Sequence, residues 1–147
     1  MSFSDDKDLK RYIILDHYEK PHHFLSDEKS LDKSYSSYNN NSPTCIDNIT
    51  AHVKLSKNKI VDVKYTGIGC AIATSSSDIM GDLLINKSKT EANKIIENYL
   101  AMIDNKKFDE KQLGDLRVFD SVNRQPNRIN CAKVGIVALR NALNNEK

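Results

Sequence analysis

No stretch of this 147-residue chain approaches the ~20 consecutive apolar residues that a membrane-spanning helix needs, so a membrane protein is not expected. The first ten residues mix charges and lack an apolar run, which excludes a secretory signal and points to the cytoplasm. Charge of one sign is equally scarce. Lys and Arg number 22 against 20 Asp and Glu, and the lysines are scattered, so no nucleic-acid partner is expected. Cysteine is sparse and odd in number: a disulfide framework built from three would leave one over, and cytosolic thiols stay reduced. There is no C-x-x-C pair and no internal repeat. With 39% hydrophobic and 29% charged residues, what remains is a soluble globular chain, read as a single domain over residues 1–147. The Asn-rich stretches near residues 39–48 and 141–147 carry little information about function.

The periodicities that are present sort the chain into elements. Leu9, Tyr12, Ile13 and His17 share helical spacing over residues 8–20, and Pro21 stops that helix. Residues 21–47 read as a long loop with one short strand near Tyr35 and Tyr38. Ile49, Ala51, Val53 and Leu55 alternate with polar residues, Ser56-Lys57-Asn58-Lys59 can turn, and Val61, Val63 and Tyr65 alternate again: an antiparallel hairpin with one buried face. From Ala71 the period becomes helical through Ile72, Ser76, Ile79, Met80, Leu83 and Leu84. Ser88-Lys89-Thr90-Glu91 is a capping box opening a helix with Ala92, Ile95, Ile96, Tyr99 and Ile103 inward. Residues 105–127 are polar and broken, with a short helix near 109–116. A last helix spans 128–143 with Ile129, Ala132, Ile136, Leu139 and Leu143 as its stripe. Strands first and helices after predict an α+β fold, a small antiparallel sheet of about three strands with helices packed against it.

The cysteines occupy special places in this scheme. Cys70 follows Gly67-Ile68-Gly69 and precedes a helix, and Cys131 falls in the first turn of the last helix. Helix N-termini favour the thiolate, whereas a structural cysteine more often sits within an element on its apolar face. Cys45 lies in the aperiodic Ser42-Pro43-Thr44-Cys45-Ile46-Asp47, where a carboxylate two residues from a thiol can point at the same ion. Three thiolates and one carboxylate complete a tetrahedral zinc shell. Spacing alone leaves open whether this is one shared metal site or three unrelated thiols.

An ordered set of motifs carries a resemblance. Ile14-Leu15-Asp16-His17-Tyr18 with Pro21-His22-His23, Pro43-Thr44-Cys45 with Asp47, Gly67-Ile68-Gly69-Cys70-Ala71-Ile72 and Arg128-Ile129-Asn130-Cys131-Ala132 span nearly the whole chain. Together they resemble the SufU-type sulfur-transfer proteins, a branch of the IscU/NifU-like iron–sulfur cluster assembly family. Scaffold-type members usually carry His before the last cysteine, where this chain has Asn130. SufU-type members have an added segment before that cysteine, and residues 106–127 look like it. One departure stands out: Ile46 replaces a usual Gly, and a β-branched residue is disfavoured at positive φ. The resemblance therefore implies another backbone path here or a shorter reach for Asp47.

The resemblance implies Zn2+ held by Cys45, Asp47, Cys70 and Cys131, with Cys45, on a movable loop, as the acceptor of persulfide sulfur from a SufS-like cysteine desulfurase. Downstream iron–sulfur assembly proteins would receive that sulfur. Arg128, one turn before Cys131, is the candidate counter-charge and partner-responsive residue, against the plain reading of an exposed arginine at a helix end. Two rival readings are a scaffold building a transient iron–sulfur cluster on the same residues and a structural zinc domain for protein contact. Other tempting residues read as structural. Gly67-Ile68-Gly69 lacks the third glycine of a dinucleotide motif and is explained by a turn delivering Cys70. His22 and His23 read as a solvated cap, His17 as structural, and His52 as lying on the polar strand face. Asp16 and Asp62 have no partner nearby in sequence for acid–base work.

Overall fold

The computed structural model of the protein describes residues 7–41 and 46–145. Its elements run in the order helix α1 (Lys7–Glu19), strands β1 (Tyr35–Asn41), β2 (Asn48–Ser56) and β3 (Lys59–Ile68), then helices α2 (Ala71–Leu84), α3 (Lys89–Ile103) and α4 (Pro126–Asn144). The sheet is antiparallel with strand order β1-β2-β3, and the helices pack beside it, the expected α+β arrangement. No described helix is long and apolar enough to cross a membrane.

The hairpin closes through Lys57 and Asn58, whose φ values of 52° and 65° make the two-residue turn that suits the strands' twist. Pairing shifts between Lys54 and Leu55: Lys54 faces Asp62 and Leu55 faces Ile60. Val61 is thus the extra residue of a bulge and stays exposed, while Ile60 enters the core in the place the alternation assigns to Val61. Gly67, at φ 114°, is a strand residue paired with Ile49 and not part of a turn. A Cβ there would lie 2.1 Å from the Asn48 carbonyl oxygen, so only glycine fits.

The inner face of the sheet carries Ile49, Ala51, Val53, Val63 and Tyr65 into the core. The other face is not simply polar. His52 is buried there between Ser37 Oγ at 2.6 Å and Thr66 Oγ1 at 2.9 Å, because the segment after α1 crosses over it with Glu28 and Asp32. Helix α1 turns Ile13, Ile14 and His17 inward and leaves Leu9 and Tyr12 outside, a rotation from the stripe its sequence suggests.

Helix α3 opens on the capping box, with Ser88 Oγ accepting the Glu91 N–H and Glu91 accepting the Ser88 N–H. After it come three short 3-10 turns, Glu110–Gln112, Gly114–Phe119 and Val122–Arg124. This stretch is less polar in effect than its composition suggests: Leu113, Leu116, Phe119 and Val122 all point inward. Phe119 meets Tyr99 edge-on with ring centroids 6.4 Å apart. Small residues let α2 approach α4 closely: a Cβ at Gly135 would lie 1.7 Å from Ser77 Oγ. That contact sets where Cys131, one turn earlier on α4, stands relative to α2.

Candidate metal centre

Three of the four expected ligands converge. One donor atom each of Asp47, Cys70 and Cys131 lies within 4.8 Å of the others. Cys45 falls in residues 42–45, outside the described residues, two positions before Asp47.

Each member is set by an end of an element. Asp47 immediately precedes β2 and its carboxylate is fully buried. Its Oδ1 accepts the Cys70 backbone N–H at 2.7 Å, and Oδ2 lies 3.7 Å from the Cys70 sulfur. A buried carboxylate is costly unless hydrogen-bonded, and this bond fixes Asp47 toward the cysteines. Cys70 is the N-cap of α2, its sulfur accepting the Ala73 N–H at 3.4 Å.

Cys131 departs from its expected place. Helix α4 begins at Pro126, so Cys131 sits in the second turn, and its thiol faces the Asn127 carbonyl oxygen at 3.8 Å. Burial pushes this thiol well above its usual range, and the adjacent Asp47 carboxylate and Cys70 thiol push in the same direction. The cluster thus resists a further negative charge when metal-free, and a dication is what would allow both thiols to ionise beside Asp47. Two sulfurs and one carboxylate oxygen suit zinc, and a further thiolate completes its usual four-coordinate shell.

Ile46 does not obstruct this arrangement. It is 77% exposed, so its side chain stays out of the buried cluster. Arg128 is exposed in the first turn of α4. It borders a cleft of about 850 Å³ between α1, the start of α2 and residues 118–125, beside Ala71 and Ile72.

A second group was not legible from spacing. Helix α2 carries Asp78 and Asp82 on one face, and donor atoms of His17, His22, Asp78 and Asp82 also lie within 4.8 Å of one another. His23, which reads as part of a solvated cap, is buried. The available signal was an aspartate in the middle of an otherwise small and apolar helix, which needs a partner when buried.

Comparison with known proteins places this geometry in context. The family model described as NifU-like N terminal domain matches residues 10–144. A Streptococcus pyogenes protein named iron-sulfur cluster assembly scaffold protein IscU is 33% identical over 97% of this chain and 87% of its own length. A Bacillus subtilis protein named zinc-dependent sulfurtransferase SufU is 31% identical over 100% of this chain and 98% of its own. The crystal structure of a Fervidobacterium islandicum protein of the SUF system superposes with a TM-score of 0.79 at 31% identity, covering 89% of this chain and 93% of that one. A Brucella abortus NifU-like N-terminal domain shares the fold at 17% identity, with a TM-score of 0.78. With the family model covering nearly the whole chain, this protein belongs to the NifU-like N-terminal domain family.

Proposed function

We propose that this protein works in iron–sulfur cluster assembly as a sulfur acceptor, taking persulfide sulfur on Cys45 from a cysteine desulfurase and passing it on. The observation that carries this reading is the convergence of Asp47, Cys70 and Cys131, with Cys45 two positions before Asp47 in the sequence. The Bacillus subtilis relative's name, zinc-dependent sulfurtransferase, supports the same reading.

Asp47, Cys70, Cys131 and Cys45 would hold the ion. Zinc, when bound, supplies a positive charge that keeps the thiols ionised at neutral pH without redox chemistry. The transfer itself is thiol exchange. The Cys45 thiolate attacks the outer sulfur of the desulfurase persulfide, a new S–S bond forms on Cys45, and the old S–S bond breaks. The desulfurase cysteine leaves as a thiolate, with no net electron change. The protein's part is to present Cys45 beside anchored partners. Asp47 is fixed by the Cys70 N–H, and Cys70 and Cys131 are fixed on α2 and α4. Arg128, exposed at the cleft beside the start of α2, offers a positive charge to balance four anionic ligands or to meet the incoming partner.

A second reading is a scaffold on which an iron–sulfur cluster, as cargo, is built by the same residues. The name of the Streptococcus pyogenes relative favours it. Two measurements separate the readings. Elemental analysis of protein purified without added metal is expected to show zinc that disappears in Cys70→Ala and Cys131→Ala. Incubation with a cysteine desulfurase and cysteine is expected to add one sulfur to Cys45 by mass spectrometry, and none in Cys45→Ala. Iron retained with matching sulfide supports the scaffold instead. Metal-free protein in every preparation, with equal sulfur uptake by Cys45→Ala, overturns both.

A further inference from the structure

We propose that His17, His22, Asp78 and Asp82 form a second metal site, for a divalent transition ion such as zinc or ferrous iron, between the end of α1 and the middle of α2. It shares no residue with the cysteine cluster and does not depend on the function proposed for that cluster.

The donor set is the first argument. Two imidazoles and two carboxylates are ligands that zinc and ferrous iron accept, whereas calcium and magnesium prefer oxygen alone. Two carboxylates also neutralise a dication. The four come as two local pairs: His17 and His22 flank the end of α1, and Asp78 and Asp82 are one turn apart on α2. His17 Nδ1 lies 2.6 Å from Asp78 Oδ2, His22 Nδ1 lies 2.9 Å from Asp82 Oδ2, and His22 Nδ1 lies 3.9 Å from Asp78 Oδ2.

The group is also held from behind, as metal ligands usually are. Asp78 is fully buried, and its Oδ1 accepts the backbone N–H groups of His22 and His23, each at 2.8 Å, leaving Oδ2 for the imidazoles. His23 spans the Val63 carbonyl oxygen, 2.8 Å from Nδ1, and Asp82 Oδ1, 2.7 Å from Nε2. Room for that ring exists because residue 81 is glycine: a Cβ there would lie 2.7 Å from His23 Cδ2. Glycine is unfavourable inside a helix, so its presence between Asp78 and Asp82 marks a close approach that the backbone must allow.

A second observation concerns a buried hydroxyl nearby in the fold. The Tyr65 hydroxyl is the one buried side-chain polar atom without a hydrogen-bond partner among the described residues. Its ring is fully buried, and burial pushes its pKa upward, with the charges of Asp78 and Asp82 adding to that push. Buried hydroxyls are normally satisfied, and water carried on an ion held by these two aspartates would supply the partner.

The test uses the full chain, stripped of metal under reducing conditions and titrated with Zn2+ and, for its spectrum, Co2+. The wild type is expected to bind an ion whose cobalt spectrum has visible ligand-field bands but no thiolate charge transfer. Affinity for that ion should fall by at least about a hundredfold in the His22→Ala/Asp82→Asn double variant, because two ligands are lost where even supporting residues cost up to about that factor. Both side chains are substantially exposed, at 53% and 39%, so the fold is expected to survive, as circular dichroism checks. Thiolate charge transfer, if the cysteine cluster binds cobalt, should persist in the double variant, which keeps the two sites' fates apart. Tight binding of a thiolate-free ion by the double variant, or its absence in the folded wild type, overturns the proposal and leaves a hydrogen-bonded clip between α1 and α2.

Discussion

Replacing Gly135 by Ala tests how the fold brings Cys131 to Cys70. Helix propensity alone favours alanine by about 1 kcal/mol. The structure opposes it, because the new Cβ would lie 1.7 Å from Ser77 Oγ and 2.9 Å from Ser77 Cβ. Rotating the serine hydroxyl away breaks its 2.7 Å bond to the Ala73 carbonyl oxygen. The Cβ contact remains, and since ordinary contact begins at 3.4 Å, α2 and α4 must part by about half an ångström. Overpacking of this kind costs about 1–3 kcal/mol, so a net loss of about 1–2 kcal/mol is expected, roughly 3–6 °C in thermal midpoint for a chain of this size. Because Cys131 lies one turn before Gly135, the same displacement exceeds the ~0.2 Å tolerance of metal–ligand distances, and zinc affinity should fall at least tenfold. Urea denaturation of metal-free Gly135→Ala, Ser77→Gly and the double variant forms a cycle. The double variant should recover about 1 kcal/mol relative to the sum of the singles, together with zinc binding. Additivity to within about 0.5 kcal/mol refutes the idea that this contact sets the helix spacing.

Three further outcomes are expected. Ser88→Ala removes one half of the capping box on α3 and should cost about 1 kcal/mol by urea denaturation; no loss would mean that the box is ornamental. In metal-free protein, NMR titration should separate two histidines around the usual value near 6.5. The hydrogen bond to Asp82 raises His22, so its contribution to stability is present at low pH and is lost as pH rises through the raised value. Burial lowers His52, so stability through His52 is lost as pH falls below 6.5; coincident midpoints would contradict both assignments. Asp47→Asn keeps an acceptor for the Cys70 N–H but removes a charge beside Cys131. The Cys131 thiol should then titrate at lower pH by thiolate absorbance in the metal-free protein, even as zinc binding weakens; an unchanged titration would show that the Asp47 charge plays no part in setting it.

The elements most visible in the sequence were those whose burial follows one regular period. The hairpin, α2, α3 and α4 announce themselves through alternation, helical stripes and the Ser88 box. The segment 105–127 hid because four of its buried residues, Leu113, Leu116, Phe119 and Val122, recur every third position, the period of a 3-10 helix, which neither a strand nor an α-helix pattern detects. Strand β1, Tyr-Ser-Ser-Tyr-Asn-Asn-Asn, was only partly foreseeable, since its length comes from pairing with β2 and not from its own residues. The approach of Asp47, Cys70 and Cys131 was within reach because thiols at element ends invite a shared purpose. The approach of His17 and His22 to Asp78 and Asp82 was not, because nothing local connects residues 56 to 61 positions apart.

Helix α2 starts on a sulfur atom, and that has a mechanical consequence. The Ala73 N–H of its first turn binds the Cys70 side chain, while the Cys70 N–H is held by Asp47. Whatever happens to that sulfur, whether alkylation, oxidation or a change in what it binds, also alters the terminal restraint on a buried helix that runs about 12 Å onward to Asp78. The chemistry of one atom is thereby converted into tension or slack in a rod to which α1 is clipped near its middle, through His17 and Asp78.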